Sequence, residues 1–118
     1  MSINMTAGQA LRLWQQANLK MVLDEAPDLS VRQMAILLTI YLENPPHTVR
    51  GLAQKLNVSK PVITRALDSM GILGLVSRRR DENDRRNVLI QRTVDGSLYL
   101  ENLGDMIART AQQESKDQ

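Results

Sequence analysis

Between Val49 and Leu67 the apolar side chains recur at helical spacing, lapse at Asn57-Val58, and resume on a second stripe. Leu52, Ala53 and Leu56 share one face of the first segment, and Ile63, Ala66 and Leu67 share one face of the second. That is the pattern of two short helices crossing steeply across a tight turn, the helix-turn-helix unit. Val58 plugs the turn, and a side chain larger than Ala53 would push the helices apart. Asn57 stands where a left-handed backbone is needed, and asparagine tolerates that conformation best after glycine. Thr48 is placed to cap the first helix, Val49–Leu56, and Ser59 the second, which ends near Gly71 or Gly74. Pro61 is tolerated in the first turn, where the backbone N–H has no helical partner. On spacing alone, a helical hairpin used only for packing remains the alternative.

The flanking segments extend the pattern. A first helix is predicted from Thr6 to Asp24, with Leu11, Trp14, Asn18 and Met21 at helical spacing and Leu13, Ala17 and Val22 widening the stripe. Ser30-Val31-Arg32-Gln33 reads as a capping box. It starts a helix over Val31–Glu43 that is apolar nearly all round and therefore central. Asn44-Pro45-Pro46 stops it. Leu75–Arg79 and Asn87–Arg92 read as two strands of a hairpin around a polar loop, Arg80–Arg86. Thr93 caps a last helix from Val94 to about Gln112, with Leu98, Leu103, Met106 and Ile107 on one face. The polar tail, Gln113–Gln118, is expected to fray.

Composition narrows the function. With 118 residues there is room for one domain, 1–118, and one core. Cysteine is absent, which excludes a disulfide framework, a thiolate nucleophile and a zinc–thiolate site. His47 is the sole histidine and reads as a loop or capping residue. The six methionines read as core filler, and Trp14 as a buried anchor or an interface residue. Asp24, Glu25 and Asp28 read as solvated. The longest apolar run, Ala35–Leu42, is too short to span a bilayer, and the N-terminus lacks a secretion signal. The expectation is a cytoplasmic protein that is not an enzyme and uses no metal or cofactor.

The net charge of +2 is unevenly spread. Residues 1–49 carry three basic and four acidic side chains; residues 50–92 carry ten and four; residues 93–118 carry two and five. The middle segment alone is therefore strongly positive, the footprint of a polyanion-binding surface. The candidate second helix leaves Ser59, Lys60, Pro61, Thr64 and Arg65 facing outward near its N-terminal end, which a recognition helix presents to the major groove. Arg65 suits a bidentate pair with guanine. The nine residues Arg78–Arg86 hold five arginines and sit between two strands, so they read as a wing. Its arginines, Arg78, Arg80, Arg85 and Arg86 foremost, suit a narrow minor groove. Asp81 and Asp84 are placed to brace them.

This order of elements resembles the MarR family of winged-helix transcriptional regulators. Three patterns carry the resemblance: Leu52-Ala53-Gln54-Lys55-Leu56-Asn57-Val58-Ser59-Lys60-Pro61; Leu67-Asp68-Ser69-Met70-Gly71-Ile72-Leu73-Gly74-Leu75-Val76; and Arg80-Asp81-Glu82-Asn83-Asp84-Arg85-Arg86. Leu89–Thr93 with Gly96 resembles the family's strand leading into a capped helix. The resemblance implies that Asp84 pairs with Arg86 and that Arg86 enters the minor groove. Family members usually carry two helices after the wing, whereas 25 residues follow Thr93 here, enough for one. With no Phe, one Trp and two Tyr there is little material for the aromatic-acid pocket of some members, and a cysteine-based oxidant sensor is excluded.

The resulting expectation is a mainly α fold with a small β-hairpin wing. It is a winged helix-turn-helix over 48–92, with N- and C-terminal helices (1–29 and 94–118) for dimerisation. The recognition helix, 59–73, enters the major groove of double-stranded DNA, and the wing, 78–92, the minor groove. Leu11, Trp14, Met21, Leu98, Leu103, Met106 and Ile107 are the expected interface of a homodimer. The competing expectation is a winged-helix module that docks proteins without reading bases, against which the arginine-rich wing argues.

Overall fold

In the computed structural model, which describes residues 3–116, the chain forms five helices and one small sheet. The order is α1 (Ala7–Leu23), α2 (Val31–Leu42), β1 (His47–Thr48), α3 (Val49–Leu56), α4 (Lys60–Ile72), β2 (Val76–Arg80), β3 (Val88–Arg92) and α5 (Val94–Lys116). The mainly α winged helix-turn-helix is as the sequence predicts. The hairpin strands are each displaced one residue from the predicted start.

Local chemistry sets most boundaries. The Ser30 hydroxyl accepts from the Gln33 N–H at 3.0 Å, and the Ser30 N–H donates to Gln33 Oε1 at 2.7 Å, the full capping box. Thr6 and Gln9 form a second box at the start of α1. Thr48 Oγ1 accepts from the Gly51 N–H at 2.9 Å. Asn57 adopts φ 55° and ψ 49°, the left-handed turn conformation. Thr93 Oγ1 accepts from the Gly96 N–H and donates to the Gly74 carbonyl, so it caps α5 and pins it to the end of the α4 turn.

Two expectations need correction. His47 does not lie in a loop: it and Thr48 form a strand antiparallel to β3, paired with Ile90 and Leu89, so the hairpin becomes a three-stranded sheet in the order β1-β3-β2. A two-residue strand has no periodicity to read; its partner supplies the ladder. The last helix also continues to Lys116, past Gln112. Glu114 is half-buried and pairs with Arg12 at 3.5 Å, which holds the extra turn. The part of the predicted frayed tail at 117–118 lies outside the described residues.

The chain divides into two compact units: α1 with α5 from Glu101 onward, and Leu29–Leu100. In the first, Ala17 is fully buried, and the buried Thr110 hydroxyl donates to the Met106 carbonyl and accepts from Lys20 Nζ at 2.9 Å. Met21, Leu103, Met106 and Ile107 are half-buried. Trp14 is not a buried anchor: it is 56% exposed, and Leu11 69%. The face α1 uses internally centres on Ala17 and passes these two by. Asp24, Glu25 and Asp28 are exposed, as solvated acids are.

In the second unit, Ile36, Leu37 and Ile40 of α2 are fully buried among Leu52 and Ala53 of α3, Ile63, Ala66, Leu67 and Met70 of α4, and Leu75, Val76 and Ile90 of the sheet. The central position predicted for α2 follows from that, and the predicted inner faces of α3 and α4 are the ones buried. Leu56, Val58, Tyr99 and Leu100 pack on the rim. Tyr41 Oη donates to the Leu75 carbonyl at 2.7 Å and accepts from the Thr93 N–H at 2.9 Å. Arg92 donates to the Ile40 and Glu43 carbonyls, closing the end of α2. Gly96 lies so close to Tyr41 Oη and the Leu75 carbonyl that no Cβ fits there. These bonds fix α4 and the wing strands to one frame.

Candidate nucleic-acid interface

The packing of α4 separates its two faces. Ile63, Ala66, Leu67 and Met70 are buried, and Ser59, Lys60, Pro61, Thr64 and Arg65 are all exposed on the opposite side. One correction concerns Ser59. It occupies the N-cap, yet its hydroxyl makes no capping bond. Pro61 has no N–H to offer, and the Val62 and Ile63 N–H groups both turn to the Ser59 main-chain carbonyl, at 3.2 and 3.4 Å. The hydroxyl is thereby left for an external partner.

The wing is built by β2 and β3 in the register Arg78↔Ile90 and Arg80↔Val88. Its tip is tied internally. The Asn87 carbonyl accepts from the Asp81 N–H, and the Asp84 carbonyl accepts from the Asn87 N–H. Arg80 Nη1 donates to the Arg85 carbonyl at 2.9 Å. Asp84 takes Arg86 in a fork: Nε to Oδ1 at 3.1 Å and Nη2 to Oδ2 at 3.3 Å, with the Arg86 main-chain N–H also on Oδ1. The Arg86 side chain is 84% exposed and held in one direction. Asp81, expected to brace an arginine, instead accepts from the Asn83 N–H at 2.9 Å and shapes the turn. Asp81 and Asn83 are two residues apart, the spacing of a local side-chain-to-backbone turn bond.

The fork sets the protonation of Asp84. The Arg86 side-chain bonds, then its main-chain N–H, and more weakly the Arg50 charge hold this carboxyl below the usual carboxylate range. A carboxylate depressed in the folded state keeps its pairing above its ordinary pKa and loses it only as pH falls through the lowered value. The Arg86 Nε–H resonance is therefore expected to hold its position from neutral pH through the ordinary aspartate pKa of about 3.9 and to move only below it. A shift already half complete at that ordinary value would contradict the fork.

The remaining basic side chains sort by partner. Arg78 is not free: Nη2 lies 2.7 Å from Asp68 Oδ1, joining β2 to α4. Lys55 pairs with Glu43 at 2.8 Å. Lys60, Arg65, Arg79 and Arg85 make no ion pair among the described residues and are exposed. Arg50, to which the sequence reading gave no role, stands in the first turn of α3 close enough to Asp84 to act on its charge, and so adds to the wing's cations. Only its place in the basic segment pointed to it. His47 sits 3.1 Å from the Glu43 carbonyl through Nε2. Among the described residues there is no group of three or more His, Cys, Asp or Glu that could hold a metal, and no helix long and apolar enough to cross a membrane.

Comparison with known proteins agrees with this geometry. The MarR family matches residues 29–88. An organic hydroperoxide resistance transcriptional regulator of Bacillus subtilis is 34% identical over 71 residues, 60% of this chain and 48% of that protein. The transcriptional repressor YetL of the same organism is 42% identical over 50 residues, 42% of this chain and 30% of the repressor. The chain thus spans about half or less of the length of these relatives. Among solved structures, S. aureus MepR in complex with DNA superposes with a TM-score of 0.75 at 21% identity, over 92% of this chain and 86% of that one. Reduced AbfR bound to DNA gives 0.65 at 27% identity, over 87% and 74%. Matched over half its length, from the start of α2 through the helix-turn-helix to the returning strand of the wing, the chain belongs to the MarR family.

Proposed function

We propose that the protein is a sequence-specific DNA-binding regulator of transcription, working as a homodimer in the cytoplasm, with α4 in the major groove and the wing in the minor groove. The observation that carries this reading is the pairing of two exposed basic elements on one buried frame. The free face of α4 offers Ser59, Lys60, Pro61, Thr64 and Arg65, and the wing offers Arg80, Arg85 and an Arg86 already oriented by Asp84. Arg78, tied to Asp68, acts chiefly by fixing the wing beside α4. Such preorganisation suits groove insertion, since less side-chain freedom is lost on binding. The family and the regulators it resembles support the same role, as do the DNA complexes of MepR and AbfR.

Base reading and groove insertion predict different losses. Arg65→Ala is expected to cost about 1–3 kcal/mol on the preferred site and to relax preference at one position per half-site. Arg86→Ala is expected to weaken A·T-flanked sites most, and Asp84→Ala to reproduce part of that loss by freeing the tip. Binding of each variant to preferred, A·T-substituted and random duplexes checks this. Equal losses for Arg65→Ala on preferred and random DNA would remove it as a reader.

Two half-sites about one helical turn apart need two subunits. Leu11, Trp14 and Val22 on α1 are more than half exposed, as is Leu98 on α5, while Met21, Leu103, Met106 and Ile107 are half-buried. Each of these apolar side chains is proposed to meet the second copy. Sedimentation equilibrium at micromolar concentration is expected to give twice the 13.3 kDa mass of one chain. Trp14→Glu, at a position exposed in a single copy, is expected to shift the mass toward one chain without changing helical content. A single-chain mass for the unaltered protein would overturn the dimer.

A further inference from the structure

An open groove of about 390 Å³ runs between the first turn of α2 and one stripe of α4. Ser30, Arg32 and Gln33 form one wall; Val62, Arg65, Ala66 and Ser69 form the other. Most polar groups of this lining are already used. Ser30 and Gln33 bond each other in the capping box, and the Ser69 hydroxyl donates to the Arg65 carbonyl at 3.2 Å. Two guanidinium groups remain, Arg32 and Arg65, and neither has an ion-pair partner among the described residues. No carboxylate lines the groove. A cleft lined by cations and by no carboxylate favours an anion there. Both walls are rigid: the capping box fixes the start of α2, and the buried side of α4 fixes the other wall.

Arg65 lies on the α4 face proposed to meet base edges. The strand being read carries its phosphates alongside the recognition helix, and contacts to them position the protein without carrying sequence information. We propose that Arg32 holds a backbone phosphate of the bound duplex across this groove from Arg65, which makes α2 a third DNA-contacting element beside α4 and the wing. This rests on the DNA-binding reading given above. Charge by segment hides the residue, because Arg32 stands in the N-terminal stretch, where acids outnumber bases. The fold makes Arg32 part of the lining of the groove beside the recognition helix.

The test is Arg32→Ala in the full chain, with affinity measured for a preferred duplex and for a random duplex of equal length across 50–200 mM salt. A phosphate contact predicts similar losses on both duplexes, on the order of tenfold for a dimer, and a salt slope shallower by about one per subunit. Arg32→Lys should keep most of the affinity, since a phosphate accepts either cation. An unchanged slope and affinity for Arg32→Ala, with the unaltered protein binding steeply, would overturn the proposal and leave the DNA-binding reading standing. A loss confined to the preferred duplex would make Arg32 a base reader and would equally overturn the phosphate assignment. Failure of the unaltered protein to bind either duplex at low salt would instead remove the DNA-binding reading, and this proposal with it.

Discussion

Raising the salt from 50 to 200 mM is expected to weaken duplex binding by about 10⁵-fold. Each cation that neutralises a phosphate releases a condensed counterion, so log affinity falls with log salt by roughly 0.9 per contact. Three of the basic side chains that the sequence offers carry internal ion pairs, Arg78 with Asp68, Lys55 with Glu43 and Arg86 with Asp84; of these Arg86 keeps its side chain 84% exposed at the wing tip. Lys60, Arg65, Arg80, Arg85 and Arg86 remain the core of the surface, with Arg50 and Arg79 beside them. If about five engage per subunit, a dimer makes about ten contacts and the slope is on the order of −9. Fluorescence anisotropy of a labelled duplex at four or five salt concentrations measures it. A flat dependence would leave the basic surface without a polyanion and would favour a protein-docking module. The same experiment separates the internal pairs from the free set. Lys55→Ala is expected to leave the slope nearly unchanged, whereas Arg85→Ala flattens it.

The second large effect is on stability. Leu67→Ala is expected to destabilise the Leu29–Leu100 unit by about 2–5 kcal/mol, because a large buried side chain is replaced by a cavity that rigid neighbours fill only in part. Leu67 is fully buried, under α4, with Ile63 and Met70 of the same helix and Ile36, Leu37 and Ile40 of α2 in the surrounding core. Domains of this size are stable by only about 5–15 kcal/mol, so the loss is a large share of the total. Urea unfolding of both proteins, compared by midpoint at constant m-value, gives the difference. Lys60→Ala, on the exposed side of the same helix, is the control and is expected to stay within about 0.5 kcal/mol. A Leu67→Ala loss below about 1 kcal/mol would contradict the close packing of α4 on α2.

Much of the architecture was legible because its causes are local. Ser30 and Gln33 are three residues apart, and so are Thr48 and Gly51, so the bond that starts each helix lies within one turn. Asn57 declares the left-handed turn by its residue type. The apolar stripes of α3 and α4 specify buried faces, since spacing along a helix maps directly onto its surface. The arginine-rich loop between strands specified a wing, whereas the Asp84–Arg86 fork followed only from the resemblance to the family.

What the sequence left open depended on partners far along the chain. β1 exists as a strand only because Ile90 and Leu89 lie beside it. Trp14 reads as a buried anchor or an interface residue, and the packing of α1 turns it outward, since a stripe wider than its internal partner leaves side chains over. The charged side chains were least legible. Periodicity assigns a face to Arg78, Lys55 and Arg32 alike, but carries no information on what stands opposite. The fold brings Asp68 to Arg78 and Glu43 to Lys55, and leaves Arg32 facing a groove beside Arg65. The elements, their caps and the sign of the surface follow from the order of residues, because hydrogen bonding and hydrophobic burial act over one turn or one strand. Which cations are neutralised and which remain for a polyanion was decided by tertiary structure alone, because an ion pair depends on a separation of a few ångströms between residues the chain holds far apart.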